Sequence, residues 1–158
     1  MRVGIGYDSH RFVPGRRLVL GGVDIPSPVG LEGHSDADAV AHAVTDAILG
    51  AAALGDIGTH FPPADPRWKD ADSMILLGHA VEQAAGLNYQ VVNIDVTVIC
   101  EQPRLREHIV AMRTRLAGAI GIGVQHVGIK GKTNEGMGWI GRGEGIAAIA
   151  VVLLDAID

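Results

Sequence analysis

Apolar and polar positions alternate along this chain with periods that divide it into short strands and longer helices. Val3, Ile5 and Tyr7 alternate with smaller residues across Met1–Tyr7, which predicts a strand. Leu18–Leu20 and Val23–Ile25 flank Gly21-Gly22, the pattern of a hairpin or bulge. Pro26, Pro28 and Gly30 then predict a loop. From Asp38 to about Leu54, Val40, Val44, Ile48 and Ala51 recur at steps of four and three, the period of a helix. Ser35, Asp36 or Asp38 stands where a helix is capped, and Gly55 where it ends. Gly55 to Asp70 holds three prolines and two glycines in sixteen residues, which predicts a long loop of the kind that serves as a lid.

Ala71–Ala85 reads as a second helix ending at Gly86. Gln90–Cys100 is β-branched and alternating, a strand with a polar side of Asn93, Asp95 and Thr97. Leu105, Ile109, Met112, Leu116 and Ile120 repeat at helical spacing, with Gly121 as C-cap. Val127–Lys132 is a short strand, and Glu144–Leu154 a long apolar one that asks for burial on both faces. The order β-β-β-α-α-β-α-β-β predicts an α+β fold, a mixed sheet with helices packed on one face. The other face is apolar enough to ask for a partner, which points to an oligomer.

Composition narrows the function classes. The chain has 158 residues, the size of one domain spanning 1–158. Hydrophobic residues at 47% and charged residues at 20% exclude general disorder. Aromatics are only 4% and glycines number 22, so the core is aliphatic and the backbone turns tightly or packs closely. The one cysteine, Cys100, excludes an internal disulfide. Net charge is −5 with no basic stripe, which argues against nucleic acid. The local cluster Arg104, Arg106, Lys130, Lys132 and Arg142 suits a small anionic ligand instead. No secretory pattern and no charge-free run of ~18 apolar residues is present, so a cytoplasmic protein with no membrane span is expected.

Several residues carry candidate chemistry. Asp8-x-His10 puts a carboxylate and an imidazole on one side of a strand, just past the end expected for it. Both are borderline ligands suited to Zn²⁺ or Mn²⁺, although so short a pattern also arises by chance or as a cap. His42, one turn into the first helix, is the natural third ligand, with Asp46 at i+4 placed to orient it. A helix-surface ion pair is the competing reading of those two. Three ligands with an open fourth position describe a catalytic metal rather than a structural one. His34-Ser35-Asp36 precedes the helix, where backbone N–H groups favour phosphate; Asp38 fits plain capping. Gly55–Gly58 lets backbone approach a ligand, with Asp56 on a hydroxyl or in an Asx turn. Lys130–Glu135 offers cations, a hydroxyl and a carboxylate suited to a metal-bridged phosphate, or a solvated turn. In Gly141–Gly145 (GRGEG), Arg142 and Glu144 form an ion pair or an anion site at an interface.

In this order, these blocks resemble the 2-C-methyl-D-erythritol 2,4-cyclodiphosphate synthase family. The matching residues are Gly6–His10 (GYDSH), Gly21-Gly22-Val23, His34-Ser35-Asp36, Asp38, His42 and Thr45-Asp46-Ala47. Gly50–Gly58 (GAAALGDIG), Phe61-Pro62, Asp65-Pro66, Ala71-Asp72-Ser73 and Asn93–Thr97 follow. Pro103, Lys130, Thr133, Glu135 and GRGEG complete a match covering essentially the whole chain.

The resemblance implies a homotrimer, with a fold similar to the trimeric bacterial chorismate mutases and active sites at subunit interfaces. It implies a cytidine diphosphate substrate, 4-diphosphocytidyl-2-C-methyl-D-erythritol 2-phosphate, whose 2-phosphate attacks the β-phosphorus and expels CMP in the methylerythritol phosphate route to isoprenoid precursors. Asp8, His10 and His42 would hold Zn²⁺ (or Mn²⁺), and Glu135 a second divalent ion, Mg²⁺ or Mn²⁺. The catalytic positions would be His34, Asp46, Thr133 and Glu135. Asp8, His10, His34, Ser35, Ile57 and Gly58 would contact substrate, His34 and Ser35 through its phosphate, and Asp56 the erythritol hydroxyls. Phe61, Pro62, Pro63, Ala64 and Asp65 would belong to a mobile lid. Cys100, Glu101, Gln102, Pro103, Arg104, Leu105 and Arg106, with Lys132 and Thr133, would form the cytidine and ribose-phosphate pocket, and Asn134 and Glu135 would also contact substrate. Trp139 and Arg142 would complete the binding set, and a cavity on the trimer axis would accept an isoprenoid diphosphate.

Pro63 stands where many members carry Asp, and Arg104 replaces a common Lys. Cys100-Glu101-Gln102, Gly131, Asn134 and Trp139 also vary, and none of these is a proposed zinc ligand. Three other readings remain at this point. One is a metal-dependent phosphodiesterase with Asp56 or Asp46 as general base. The second is a non-catalytic trimer that binds isoprenoid diphosphates, and the third a scaffold held by structural zinc.

Overall fold

The structure, a computed structural model, describes residues 1–157. Strand β1 (Arg2–Pro14) is followed by a hairpin of β2 (Leu18–Leu20) and β3 (Val23–Ile25), then by β4 (Val29–Leu31). Helix α1 (Ala39–Ala51) leads to a short α2 (Ile57–His60), a 3₁₀ turn at Pro66–Trp68 and helix α3 (Ser73–Gly86). Strand β5 (Tyr89–Ile99), helix α4 (Ile109–Ile120), strand β6 (Val127–Lys132), a short α5 (Gly138–Gly141) and strand β7 (Gly145–Ala156) complete the chain. Five strands form one sheet in the order β4-β1-β7-β5-β6. Only β5 and β6 run parallel; the other neighbours are antiparallel, so the sheet is mixed. The expected α+β architecture is present, with α1 lying on β1, β7 and β5 and α4 on β6.

Three expectations need correction. β1 does not stop near Tyr7 but continues to Pro14, because Asp8, Ser9 and His10 stay in register with Ala148, Ala147 and Ile146 of β7. Asp8 and His10 therefore lie within the strand. The segment containing Gly30 forms β4, where Leu31 and Gly30 pair with Phe12 and Val13 of that longer strand. The Gly55–Asp70 loop is broken by α2 and the 3₁₀ turn, each capped by an aspartate, Asp56 and Asp65.

The packing of α1 on β1 positions the site. Gly4 and Gly6 face the helix, and a Cβ on either would overlap the backbone of Ala47 or Ala43. Two strand residues advance ~6.7 Å and one helical turn ~5.4 Å, so the next strand position, Asp8, meets the next helical turn back, which carries His42. Asp38 caps α1 from full burial, its carboxylate accepting from Val40 N, Ala41 N, Gly21 N and Gly22 N. That single side chain ties the β2–β3 turn to the helix start. The core beneath is aliphatic, with Leu49, Leu77, Val96, Leu116, Val152 and Leu154 fully buried.

The opposite face of the sheet is uncovered. Val3 is 69%, Ile5 70% and Tyr7 55% exposed on β1, and Val151 41% exposed beside them on β7. The Asp95–Lys130 ion pair lies on the same face. Among the described residues, no helix is long and apolar enough to cross a membrane.

Candidate active site

Asp8 and His10 share one side of β1 because strand side chains repeat every second residue. His42 reaches them from α1. Asp8 Oδ2 lies 2.8 Å from His10 Nε2 and 3.0 Å from His42 Nδ1, and the two ring nitrogens are 3.3 Å apart. These are the ligand-capable atoms of the three residues, gathered within 4.8 Å of one another. His10 Nδ1 donates to the Glu32 carbonyl at 2.6 Å. A carbonyl only accepts, so Nδ1 carries the proton and the Nε2 lone pair of neutral His10 turns inward.

A carboxylate oxygen and imidazole nitrogens this close repel one another unless a cation or proton lies between them. Electrostatics show the same demand. Burial alone would raise Asp8, but hydrogen bonds from His10 and His42, which donate to it only when their rings are protonated, hold its carboxyl down at about 2. Burial alone would lower His10, yet its bond to Asp8 and the Asp8 charge raise it overall. The donor set, two imidazoles and a carboxylate with room for a further ligand, fits a borderline divalent ion.

His42 Nε2, on the far side of the ring, lies 2.8 Å from Ser73 Oγ and 3.1 Å from Ser35 Oγ. Asp46, expected to orient His42, does not hold this nitrogen; its Oδ1 accepts from Ile57 N at 2.7 Å and so fastens the start of α2. The helix carries Asp46 to the solvent side, where the loop's free N–H is the nearer donor. Burial raises Asp46, with that bond opposing. Asp56 caps α2 through Thr59 N and Oγ1, whose hydrogen bonds lower its carboxyl. Ile57 and Gly58 form the first turn behind it.

In the lid segment, Phe61 is a buried anchor rather than a loose tip. It meets Trp68 edge-on at 5.0 Å and His79 of α3 at 6.1 Å between ring centroids. Pro62, Pro63 and Ala64 are exposed, and Asp65 is lowered by its bonds from Arg67. His34 Nε2 donates to the Asp65 carbonyl at 3.4 Å, bringing the phosphate candidate to the lid.

The basic residues line a separate pocket of about 450 Å³. Cys100, Glu101, Pro103, Arg104, Leu105 and Arg106 form one wall, and Lys130, Gly131, Lys132 and Thr133 another. The Gln102–Pro103 peptide bond is cis. Glu101 Oε1 accepts from Asn134 N and Gly136 N, so it organises the loop that carries Glu135. Thr133 Oγ1 donates to Glu135 Oε1 at 3.1 Å. Trp139 lines a small cleft with Ser9, His10, Arg11 and Glu144, and Arg142 Nε donates to Glu144 Oε1 at 2.6 Å.

The pocket and the Asp8–His10–His42 cluster are at one end of the sheet but not together. Asp8 aligns with Ala148, Val98 and then Gly131 across successive strands. Three strand spacings separate them by ~14 Å within one chain. The sequence assigned no role to Ser73, Glu32 or Glu101 as organisers; Ser73 stood only inside the Ala71-Asp72-Ser73 block.

The sequence model of the YgbB family matches residues 1–155. A 2-C-methyl-D-erythritol 2,4-cyclodiphosphate synthase of Moorella thermoacetica is 56% identical over 154 residues, covering 98% of this chain and 94% of the relative. One of Gloeobacter violaceus is 54% identical over 155 residues, covering 98% and 95%. Among solved structures, a 2C-methyl-D-erythritol-2,4-cyclodiphosphate synthase in a CDP-bound form superposes with TM-score 0.90 at 40% identity, covering 98% of this chain and all, 100%, of that one. The bifunctional IspDF from Campylobacter jejuni superposes with TM-score 0.96 at 40% identity, covering 99% of this chain and 42% of that longer one.

Proposed function

The chain belongs to the YgbB family, and from that premise we propose how its residues carry out the cyclodiphosphate synthase reaction. The enzyme converts 4-diphosphocytidyl-2-C-methyl-D-erythritol 2-phosphate to 2-C-methyl-D-erythritol 2,4-cyclodiphosphate and CMP. A 2-phosphate oxygen forms a bond to the β-phosphorus; the bond from that phosphorus to the bridging oxygen breaks, and CMP leaves with its electron pair. The attacking oxygen belongs to the substrate, so the protein needs no side-chain nucleophile. Its work is alignment and charge neutralisation.

The convergence of Asp8 Oδ2, His10 Nε2 and His42 Nδ1 carries this reading. These residues would hold zinc or manganese, which supplies Lewis-acid polarisation and a template for the β-phosphate. Glu135, fixed by Thr133, would hold magnesium or manganese at the diphosphate. His34 and Ser35 bind phosphate oxygens beside the cluster, with His34 and Thr133 stabilising charge in transit. Asp56, Ile57 and Gly58 face the erythritol, and the Phe61–Asp65 segment excludes water over it. Arg104, Arg106 and Lys132 neutralise the nucleotide phosphate, while the backbone of Cys100–Pro103 reads the cytosine; the CDP-bound relative supports a nucleotide ligand.

A homotrimer completes the site. The exposed Val3, Ile5 and Tyr7 face supports burial against further copies. The ~14 Å between pocket and cluster within one chain supports a site assembled from two subunits. Arg142 and Glu144 then fix that interface, and an isoprenoid diphosphate on the axis would compete for Arg142.

Incubation of the purified protein with the diphosphocytidyl substrate tests the reading. CMP and the cyclic diphosphate are expected together. A linear, hydrolysed diphosphate would instead identify a phosphodiesterase.

A further inference from the structure

Ser73 and Asp36 lie behind His42, outside every substrate contact assigned above. Ser73 is fully buried at the start of α3. Its Oγ donates to Asp36 Oδ1 at 2.5 Å, and its backbone N–H donates to Asp36 Oδ2 at 3.0 Å. Asp36 Oδ1 also accepts from Asp38 N at 3.1 Å. A serine hydroxyl has one proton, and the carboxylate takes it. Towards His42 Nε2, 2.8 Å away, Ser73 Oγ is therefore only an acceptor.

We infer that Asp36 and Ser73 are positioning residues that fix His42 with its proton on Nε2, aiming the Nδ1 lone pair at the site. The chain of bonds runs from carboxylate to hydroxyl to imidazole, and every member is oriented by the acceptor-only character of Asp36. Such outer partners raise ligand basicity and hold the ring plane; their loss typically costs ~10–100-fold in metal affinity. The same residues close the lid segment. Asp36 N donates to the Ala71 carbonyl, and Asp70 N to the His34 carbonyl. The lid's C-terminal end and the third ligand thus share one anchor. The inference rests on the proposed metal site for its affinity arm only.

The test uses the full-length protein with ¹⁵N-labelled histidine. In metal-free Ser73→Ala, the His42 Nε2 resonance should move while that of His10 stays in place, because only His42 loses its nearer hydroxyl partner, with Ser35 Oγ left at 3.1 Å. In zinc titrations, Ser73→Ala should bind roughly 10–100-fold more weakly than wild type. Where Ser73→Ala fails to fold, Asp36→Ala serves instead. It removes the carboxylate that takes the Ser73 proton, frees the hydroxyl to donate to His42, and should produce both effects. An unmoved Nε2 resonance, or zinc affinity within twofold of wild type, in a folded variant would overturn the inference. The resonance arm requires no metal, and a parallel His42→Ala zinc titration reports separately on the metal site itself.

Discussion

Gly6 lies directly against the carbonyl oxygen of Ala43, so β1 and α1 meet backbone to backbone. No side chain separates them, and this contact sets the height of His42 over Asp8. Gly6→Ala forces the two elements apart. Overpacking of this kind costs ~3 kcal/mol, and relaxation here moves a ligand away. Chemical denaturation should show the loss, and zinc affinity should fall with it although no ligand has changed.

His42→Ala removes one of three converging donors. Zinc occupancy by metal analysis should drop, and CMP release should fall at least ~100-fold. The proposed trimer, sought by light scattering, should form in the variant as in wild type, because the exposed β1 face is untouched. A monomer with normal turnover would contradict both the ligand assignment and the composite site.

Asp38 satisfies four backbone N–H groups from full burial. Asp38→Ala leaves all four unpaired and removes the α1 cap, a cost of roughly 3 kcal/mol or more. The midpoint of urea unfolding should shift accordingly. Asp38→Asn, which retains one acceptor oxygen, should recover part of the loss.

Burial, with the neighbouring Glu101 charge, pushes the Cys100 thiol up to about 11 from its ordinary 9.0. The folded state holds its proton more tightly than the unfolded state. Stability is therefore unaffected below pH 9 and falls as pH rises from 9 towards 11. Iodoacetamide at pH 8 should label the native protein slowly and the urea-unfolded protein fast, as counted by mass spectrometry. A nucleotide in the adjacent pocket should slow native labelling further.

Much of the architecture is legible in residue order. The Val40–Ala51 and Met112–Ile120 periods mark α1 and α4, and the alternation in Gln90–Cys100 marks β5. The extent of β1 is not, because Asp8-Ser9-His10 has no apolar alternation and is held as strand by β7. Val3, Ile5 and Tyr7 identify a strand but not its inner face. The glycines face the helix, since only they allow its backbone so near, and the larger side chains face outward.

The site divides in the same way. Asp8 and His10 share a side by strand periodicity, and the family blocks add His42. The i+4 spacing pairs Asp46 with His42, whereas its hydrogen-bond partner is Ile57 N at the start of α2. Periodicity, capping and ligand type are properties of neighbours along the chain, so the sequence alone determined the elements, the donor types and the family. Which nitrogen of each histidine faces inward was decided by partners that only packing of the folded chain brings close: Glu32 for His10, and Ser73, 31 residues away, for His42.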